Sequence, residues 1–290
     1  MKVLVTGGLG FVGSHLVDSL VEQRYDVTVV DNLSTGSWTN RNETVSNQMR
    51  YRIMDVVQFC QTSEEQFDII FHFANNARIA RSFEFVQETL LNNYNSTVAI
   101  CEYIRTKSPQ ARLIFASSST TEFVSMLNNP YTFSKVVCDQ LLELYASHFN
   151  LKYDIVKFYN TYGSMRESNL GIYTTVIRKF KQQVLDNEPL TIIGSGLQSR
   201  DFTFIDDTIN ALNTIINELE PQEETYHIGT GQAYSINELA EAFQHPTTNV
   251  ENRSYEVSKV VCLNRNIPNW EPKTNVIEYI KQWRKDNATS

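Results

Sequence analysis

The amino-terminal run, residues 1–31, constrains the fold more than any other part of the chain. A β-branched stretch, Lys2-Val-Leu-Val-Thr6, leads directly into Gly7-Gly8-Leu9-Gly10-Phe11-Val12-Gly13 and then into an apolar-periodic segment that ends near Gln23. A strand that turns on glycines into a helix is the opening of a βαβ unit. Gly7 permits a tight turn, Gly10 the close approach of backbone to a pyrophosphate, and Gly13 the packing of helix on sheet. Phe11 and Val12 open the helix, whose N-terminus faces negative charge. The second strand, Asp26-Val-Thr-Val-Val-Asp31, closes on an acid about twenty residues after the glycines. A carboxylate there accepts the hydroxyls of an adenosine ribose and repels a 2′-phosphate, so the run predicts a dinucleotide site for NAD rather than NADP.

The same alternation continues through DIIFHFA, a long segment from Glu84 to Arg105, RLIFASS, the segment from Tyr131 to Phe149, and YDIVKFYN. It predicts an α/β protein with a doubly wound parallel sheet. The long segment sets Val86, Leu90, Tyr94, Val98, Cys101 and Ile104 at helical spacing, and one buried apolar face is expected of it. After FYNTYG the pattern is irregular: a helix near Ile172 to Asn187, a strand PLTII, a Gly-rich turn, RDFTFIDD, a helix from Asp207 to Leu219, and a strand TYHIG. Ser235 to Glu238 and Asn275 to Glu278 have the spacing of capping boxes that open two further helices. Asp206 and Asp207 read as caps of the helix they precede. With no Pro/Gly/Ser-rich linker between the halves, a smaller αβ lobe interwoven with the first domain is expected.

The 33 acidic residues outnumber the 25 basic ones, for a net charge of −8, which argues against nucleic acid or an anionic membrane as the main partner. Cys60, Cys101, Cys138 and Cys262 lie far apart without CxxC or Cys/His spacing, so buried thiols are expected rather than a metal site or a disulfide framework. Without a secretory h-region or a bilayer-length apolar run, a cytoplasmic location is expected.

Taken in order, TGGLGFVGSHL, VVDNLSTG, Asp55-Val56, HFA at 72–74, the serines at 117–119, PYTFSK and RDFTFIDD resemble the extended short-chain dehydrogenase/reductase family. Within it they are most similar to the NAD-dependent sugar-nucleotide epimerases and dehydratases, and among these to UDP-glucose/UDP-galactose 4-epimerases. The resemblance covers nearly the whole chain. It implies a Rossmann domain over 1–161, with returning segments near 199–230, and a sugar-nucleotide lobe over 162–198 and 231–290. It implies NAD contacts from Gly7, Gly10, Phe11, Val12, Gly13, Asp31 and Asn32, an adenine contact from Asp55 with Val56 beside it, and Phe73 and Ala74 along the cofactor. Asn93, on the long helix, would have a structural or cofactor role. A nucleoside-diphosphate sugar, with UDP as the expected nucleotide, would meet Asn160, Arg200 and Arg253, although Arg253 also reads as a surface arginine beside Glu256. A homodimer joined by the helices 84–105 and 131–149 is implied as well.

The resemblance also implies a catalytic set of Ser118, Tyr131 and Lys135, the last two also touching the cofactor; Thr120 is the alternative hydroxyl. These three types suit one reaction. A phenol with its reference pKa of about 10 is a poor base at neutral pH, but nearby positive charge stabilises phenolate. Tyr131 would then take a sugar hydroxyl proton, Lys135 would hold the nicotinamide ribose, and Ser118 would steady the oxygen as it becomes a carbonyl. The chain departs from the family between Ser118 and Tyr131, where only a short loop, TTEFVSMLNNP, intervenes after Ser119. The small lobe is also abbreviated between Phe243 and Asn252. A UDP-hexose 4-epimerase is the expected activity. A 4,6-dehydratase or UDP-glucuronate decarboxylase becomes the alternative if Thr120 is catalytic, with Glu122 as an acid. A non-catalytic NAD-binding protein is the alternative of another class, because fold alone does not fix function.

Overall fold

In the computed structural model, which describes residues 1–44, 49–167, 171, 174–252 and 255–287, the alternating stretches of the first half become strands and helices in turn. They are β1 (Lys2–Thr6), α1 (Phe11–Glu22), β2 (Asp26–Asp31), β3 (Met49–Ile53), α2 (Val56–Thr62), β4 (Ile69–His72), α3 (Ile79–Glu84), α4 (Val86–Lys107), β5 (Arg112–Ser118), α5 (Thr120–Phe123), α6 (Pro130–Phe149) and β6 (Lys152–Phe158). The second half adds β7 (Thr161–Tyr162), α7 (Val176–Leu185), β8 (Leu190–Ile193), β9 (Ser199–Asp201), β10 (Thr203–Phe204) and α8 (Ile205–Glu218). It ends with β11 (Thr225–Ile228), β12 (Ala233–Ser235), α9 (Ile236–Phe243), β13 (Thr247–Val250), β14 (Lys259–Val260) and α10 (Val276–Asn287).

The chain divides into two compact units, Met1–Lys157 with Ile215–Tyr226, and Phe158–Thr214 with His227–Ser290. A seven-stranded sheet in the order β11-β6-β5-β4-β1-β2-β3 forms the core of the first, and the pairs from β5 to β3 are all parallel. Strand order reverses between β1 and β4, which puts a crevice for ligands at their carboxyl ends. Apolar residues of β4, β5 and β6 pack with α2, α4 and α6, as in the cluster of Ile70, Leu113, Phe115, Ile100, Ile104, Cys138 and Leu142.

The second unit has its own core of Tyr162, Ile177, Phe180, Leu190, Phe202, Leu239, Phe243 and Ile280. Ser235 caps α9 with both halves of the capping box present. Asn275 caps α10 by accepting from the Ile277 and Glu278 amides, but Glu278 turns to Lys281 instead of completing the box. The expected helix from Ile172 is α7, beginning at Val176; Ile172 itself lies outside the described residues. Asp207 is not a cap, because α8 begins earlier, at Ile205. Its carboxylate accepts from the Thr274 amide and its carbonyl from the Trp270 indole, so it anchors the segment ahead of α10.

The expected apolar face of α4 needs correction. Cys101 and Ile104 are buried, but Val86 and Tyr94 are exposed, and the buried positions of the first turns are Thr89, Asn93, Ser96 and Thr97. The physical reason lies in the loop after β4. Asn76 and the buried His72 need hydrogen-bond partners, and Asn93, Ser96 and Thr97 supply them. Cys101, Cys138 and Cys262 are buried thiols and Cys60 is half-buried. No helix among the described residues is long and apolar enough to cross a membrane.

Arg112 on β5 and Asp154 on β6 form a buried ion pair, with Nε and Nη2 donating to Asp154 Oδ2 at 2.8 and 2.5 Å. Asp154→Ala strands the guanidinium in the interior, and we expect it to destabilise the first unit by about 3–5 kcal/mol, read as a lowered urea midpoint.

Candidate active site

The glycine turn closes on itself and on β4. Gly7 has φ +70, and a Cβ there would lie 2.7 Å from the Phe73 carbonyl carbon and 2.8 Å from the Ala74 nitrogen. A Cβ on Gly13 would sit 2.2 Å from the Gly7 carbonyl oxygen. Only glycine allows α1 to start so close to the strand that precedes it. Phe11 and Val12 occupy the first positions of α1, whose N-cap, Gly10, has no side-chain cap and whose first turn carries no acid. Amides there have no helical acceptor, which is the condition for holding a pyrophosphate.

Asp31 is buried at the end of β2, where Oδ2 accepts from the Leu9 amide at 2.9 Å and Oδ1 from the Leu33 amide at 2.8 Å. Burial raises its carboxyl pKa, and those two amides pull it back down. Each oxygen keeps a second lone pair for a ribose hydroxyl. Asp55 caps α2 through the Val57 amide at 2.8 Å and lies 3.5 Å from the Asn32 side chain, while Val56 is buried in the core. The Phe73 and Ala74 amides donate to the Thr6 carbonyl and hydroxyl, which holds them beside the turn. The residues at this edge fit a dinucleotide: an uncapped helix start, a turn without side chains, and a carboxylate beside it.

Strand β5 ends on Ser117 and Ser118 and is followed by Ser119, all three buried, and α6 begins after Asn129, which caps it by accepting from the Thr132 amide at 2.7 Å. Pro130 at the first position suits a helix start. Tyr131 is therefore in the first turn and Lys135 in the next. Tyr131 is buried. Burial pushes its phenol pKa up; the Ser118 hydroxyl and the positive charge of Arg78 pull it down, and Asp139 pushes it up. Ser118 also meets Thr120 Oγ1 at 3.0 Å, so the alternative hydroxyl is one hydrogen bond away.

Lys135 is buried and donates from Nζ to Asn75 Oδ1 at 2.6 Å and to the Ala116 carbonyl at 2.5 Å, with the Phe115 ring 4.9 Å away. Burial lowers its ammonium pKa to about 8. The cation that acts on the Tyr131 phenol is thus Arg78, from the loop after β4, while Lys135 is turned toward Asn75.

Asn93 is fully buried and consumed by structure. Its oxygen accepts from the Asn76 amide at 2.7 Å, and its amide donates to the Asn76 carbonyl and to Ser134 Oγ. In the second unit, Asn160 donates to the Asp201 carbonyl at 2.9 Å, and Arg200 pairs with Glu256 and donates to the Ser199 carbonyl at 2.8 Å. Arg253 lies outside the described residues. Sequence reasoning missed Asn75, Arg78 and Asp139. Asn75 follows HFA directly and Arg78 lies three residues further on, where polar residues after the carboxyl end of a buried strand are a legible signal.

The fold and these residues define a Rossmann-type dinucleotide-binding enzyme. Residues 3–229 match the NAD dependent epimerase/dehydratase family, and the chain belongs to it: it is an NAD-binding enzyme of sugar-nucleotide modification, with NAD as its cofactor. A Methanocaldococcus jannaschii protein named "Putative UDP-glucose 4-epimerase" is 30% identical, covering 98% of this chain and 99% of its own. Human dTDP-D-glucose 4,6-dehydratase is 29% identical over 82% of this chain and 72% of its own. The crystal structure of a Thermotoga maritima UDP-glucose 4-epimerase with UDP-glucose superposes with a TM-score of 0.83 at 26% identity, covering 99% of this chain and 100% of that one.

Gly13→Ala is expected to weaken NAD binding on the order of tenfold or more, measured by calorimetric titration. A pH effect follows from His72, fully buried and held by burial at a pKa of about 3 against an ordinary 6.5. The unfolded imidazole takes up a proton near pH 6.5 and the folded one does not, so stability holds above that pH and falls steadily as pH drops from 6.5 toward 3. Urea midpoints across that window should show the decline, and His72→Gln should flatten it.

Proposed function

We propose that the chain is a UDP-hexose 4-epimerase that works through a 4-keto sugar. The observation that carries this reading is the burial of Ser118 at the carboxyl end of β5 together with Tyr131 and Lys135 in the first turns of α6, with Lys135 Nζ bonded to the Ala116 carbonyl of that same strand end. The likeness to the M. jannaschii and T. maritima proteins supports the choice of reaction. When bound, NAD would supply a hydride acceptor and a positive ring charge in its oxidised form and, once reduced, the donor that returns the same hydride.

The protein's own residues do the rest. Tyr131 takes the proton of the sugar hydroxyl and returns it after the keto sugar has presented its other face. Ser118 donates to the same oxygen as it becomes a carbonyl, and Lys135 holds the nicotinamide ribose. The cation at Arg78 offsets part of the burial that otherwise keeps the phenol protonated. Asn160 and Arg200 contact the diphosphate, with Arg200 exchanging part of its hold on Glu256 for phosphate oxygens.

Elimination of water by a 4,6-dehydratase needs an acid and a base beside the reacting sugar. Ser119 and Thr120 follow Ser118 where such enzymes carry acids, and the next acid along the chain, Glu122, faces Lys157 at 3.0 Å. That favours epimerisation over the dehydratase or decarboxylase reading. Leu91 and Tyr94 on α4, with Leu144 and Phe149 on α6, are exposed apolar residues on the two long helices, and they support a homodimer joined through these helices.

Incubation with NAD and UDP-glucose, UDP-GlcNAc or UDP-glucuronate should yield a 4-epimer. A 4-keto-6-deoxy sugar or a UDP-pentose would replace this reading with the dehydratase or decarboxylase, and no turnover of any donor would leave a binding protein. Tyr131→Phe should lower turnover about 100- to 10,000-fold with NAD still bound; an active variant removes Tyr131 as the base. A sizing column should show a dimer.

A further inference from the structure

We propose that Asn75 is a positioning residue for Lys135: its side-chain oxygen takes one ammonium hydrogen and fixes where the charge sits. The inference rests on the epimerase reading only for the use to which Lys135 is put.

The geometry leaves little freedom. Asn75 Oδ1 lies 2.6 Å from Lys135 Nζ, and the Ala116 carbonyl takes a second hydrogen at 2.5 Å. The amide group of Asn75 donates to the Ala74 carbonyl at 2.9 Å and to Ser96 Oγ at 3.2 Å, and lies 3.4 Å from His72 Nε2. Those acceptors decide which way the amide points. Reversed, it would set oxygen against the Ala74 carbonyl and NH2 against an ammonium, losing both contacts. His72 is itself fixed through Nδ1 to Thr6 Oγ1 at 2.8 Å, and that hydroxyl also accepts from the Ala74 amide. A chain of hydrogen bonds thus runs from the glycine-turn strand to the catalytic lysine: Thr6, His72, Asn75, Lys135. It is neutral until the lysine, because burial keeps His72 uncharged.

A neutral acceptor has a consequence that a carboxylate would not. Lys135 is faced by the Ala116 carbonyl and Phe115 ring from β5, by neutral His72 from β4, and by Cys138 and Asp139 from its own helix. None of the contacts from β4, β5 or the loop after β4 carries a full negative charge, so desolvation dominates and the ammonium titrates low, at about 8. Two of the three ammonium hydrogens are placed on protein oxygens, which leaves the third for a ribose hydroxyl.

The test is the titration of Lys135 in the NAD-loaded protein, read by NMR of 13Cε-labelled lysine, alongside kcat, KM and the pH profile of kcat. Asn75→Asp, nearly the same shape, should raise the Lys135 pKa by about one unit or more and move the alkaline limb of kcat by the same amount. Asn75→Ala should lower that pKa and reduce kcat about tenfold or more with little change in the sugar-nucleotide KM. An unchanged Lys135 titration in Asn75→Asp overturns the proposal, whatever sugar is turned over. Shifted titration without turnover of any UDP-sugar upholds the positioning role and removes the epimerase reading instead. Should Asn75→Ala fold poorly, Asn75→Asp alone decides.

Discussion

The ion pair between Arg112 and Asp154 sets the frame on which the site depends. The guanidinium does more than meet the carboxylate: Nη1 also donates to the Ile215 carbonyl at 3.0 Å and the Leu219 carbonyl at 2.6 Å, at the end of α8. Asp154 Oδ1 in turn accepts from the Gln222 and Glu224 amides. One buried pair thereby fastens the returning segment, Ile215–Tyr226, to β5 and β6 and satisfies four backbone groups. A buried pair is worth keeping when its remaining hydrogen-bonding positions are also filled, as they are here. The same pair fixes the start of β5, whose other end carries Ser117, Ser118 and Ser119.

At that other end the electrostatics are arranged by burial first and charge second. Desolvation raises the Tyr131 phenol and lowers the Lys135 ammonium, so each group is pressed toward its neutral form. Other groups then correct the balance: Ser118 and Arg78 pull the phenol down, Cys138 and Asp139 pull the ammonium up, and Asn75 and the Ala116 carbonyl take its hydrogens. Asp139, one turn beyond Lys135, is pushed up to about 6 by burial despite a hydrogen bond from Ser117. Its second oxygen is buried without a hydrogen-bond partner. Buried acid/base groups whose pKa values are displaced by desolvation and by one another are a common physical signature of a reacting centre.

Much of this was legible in the sequence because periodicity and turn chemistry are local. The strand, glycine turn and helix at the amino terminus, the capping box at Ser235, and the start of α6 at Asn129-Pro130 each follow from neighbouring residues alone. The places where pattern misled are those decided by residues far along the chain. On α4 the buried face is polar in its first turns because a loop from another strand needs partners there. Asp207 reads as a cap from its neighbours, yet it is used by Thr274 and Trp270, more than sixty residues away. Asn75 and Arg78 gave no periodic signal; their place after a buried strand marks them as candidates, but their partners appear only once β4 lies beside β5 and α6 supplies Tyr131 and Lys135.

The carboxylate of Asp31 carries a further consequence. The oxygens that would read the ribose are also the ones that tie down Leu9 and Leu33 on either side of the turn. If Asp31 reads the ribose as proposed, ligand choice and backbone geometry would share two atoms. A substitution aimed at admitting a 2′-phosphate would also release the loop that shapes the pocket, so drift from one cofactor to the other requires several coordinated changes. The preference would then belong to the backbone as much as to the side chain.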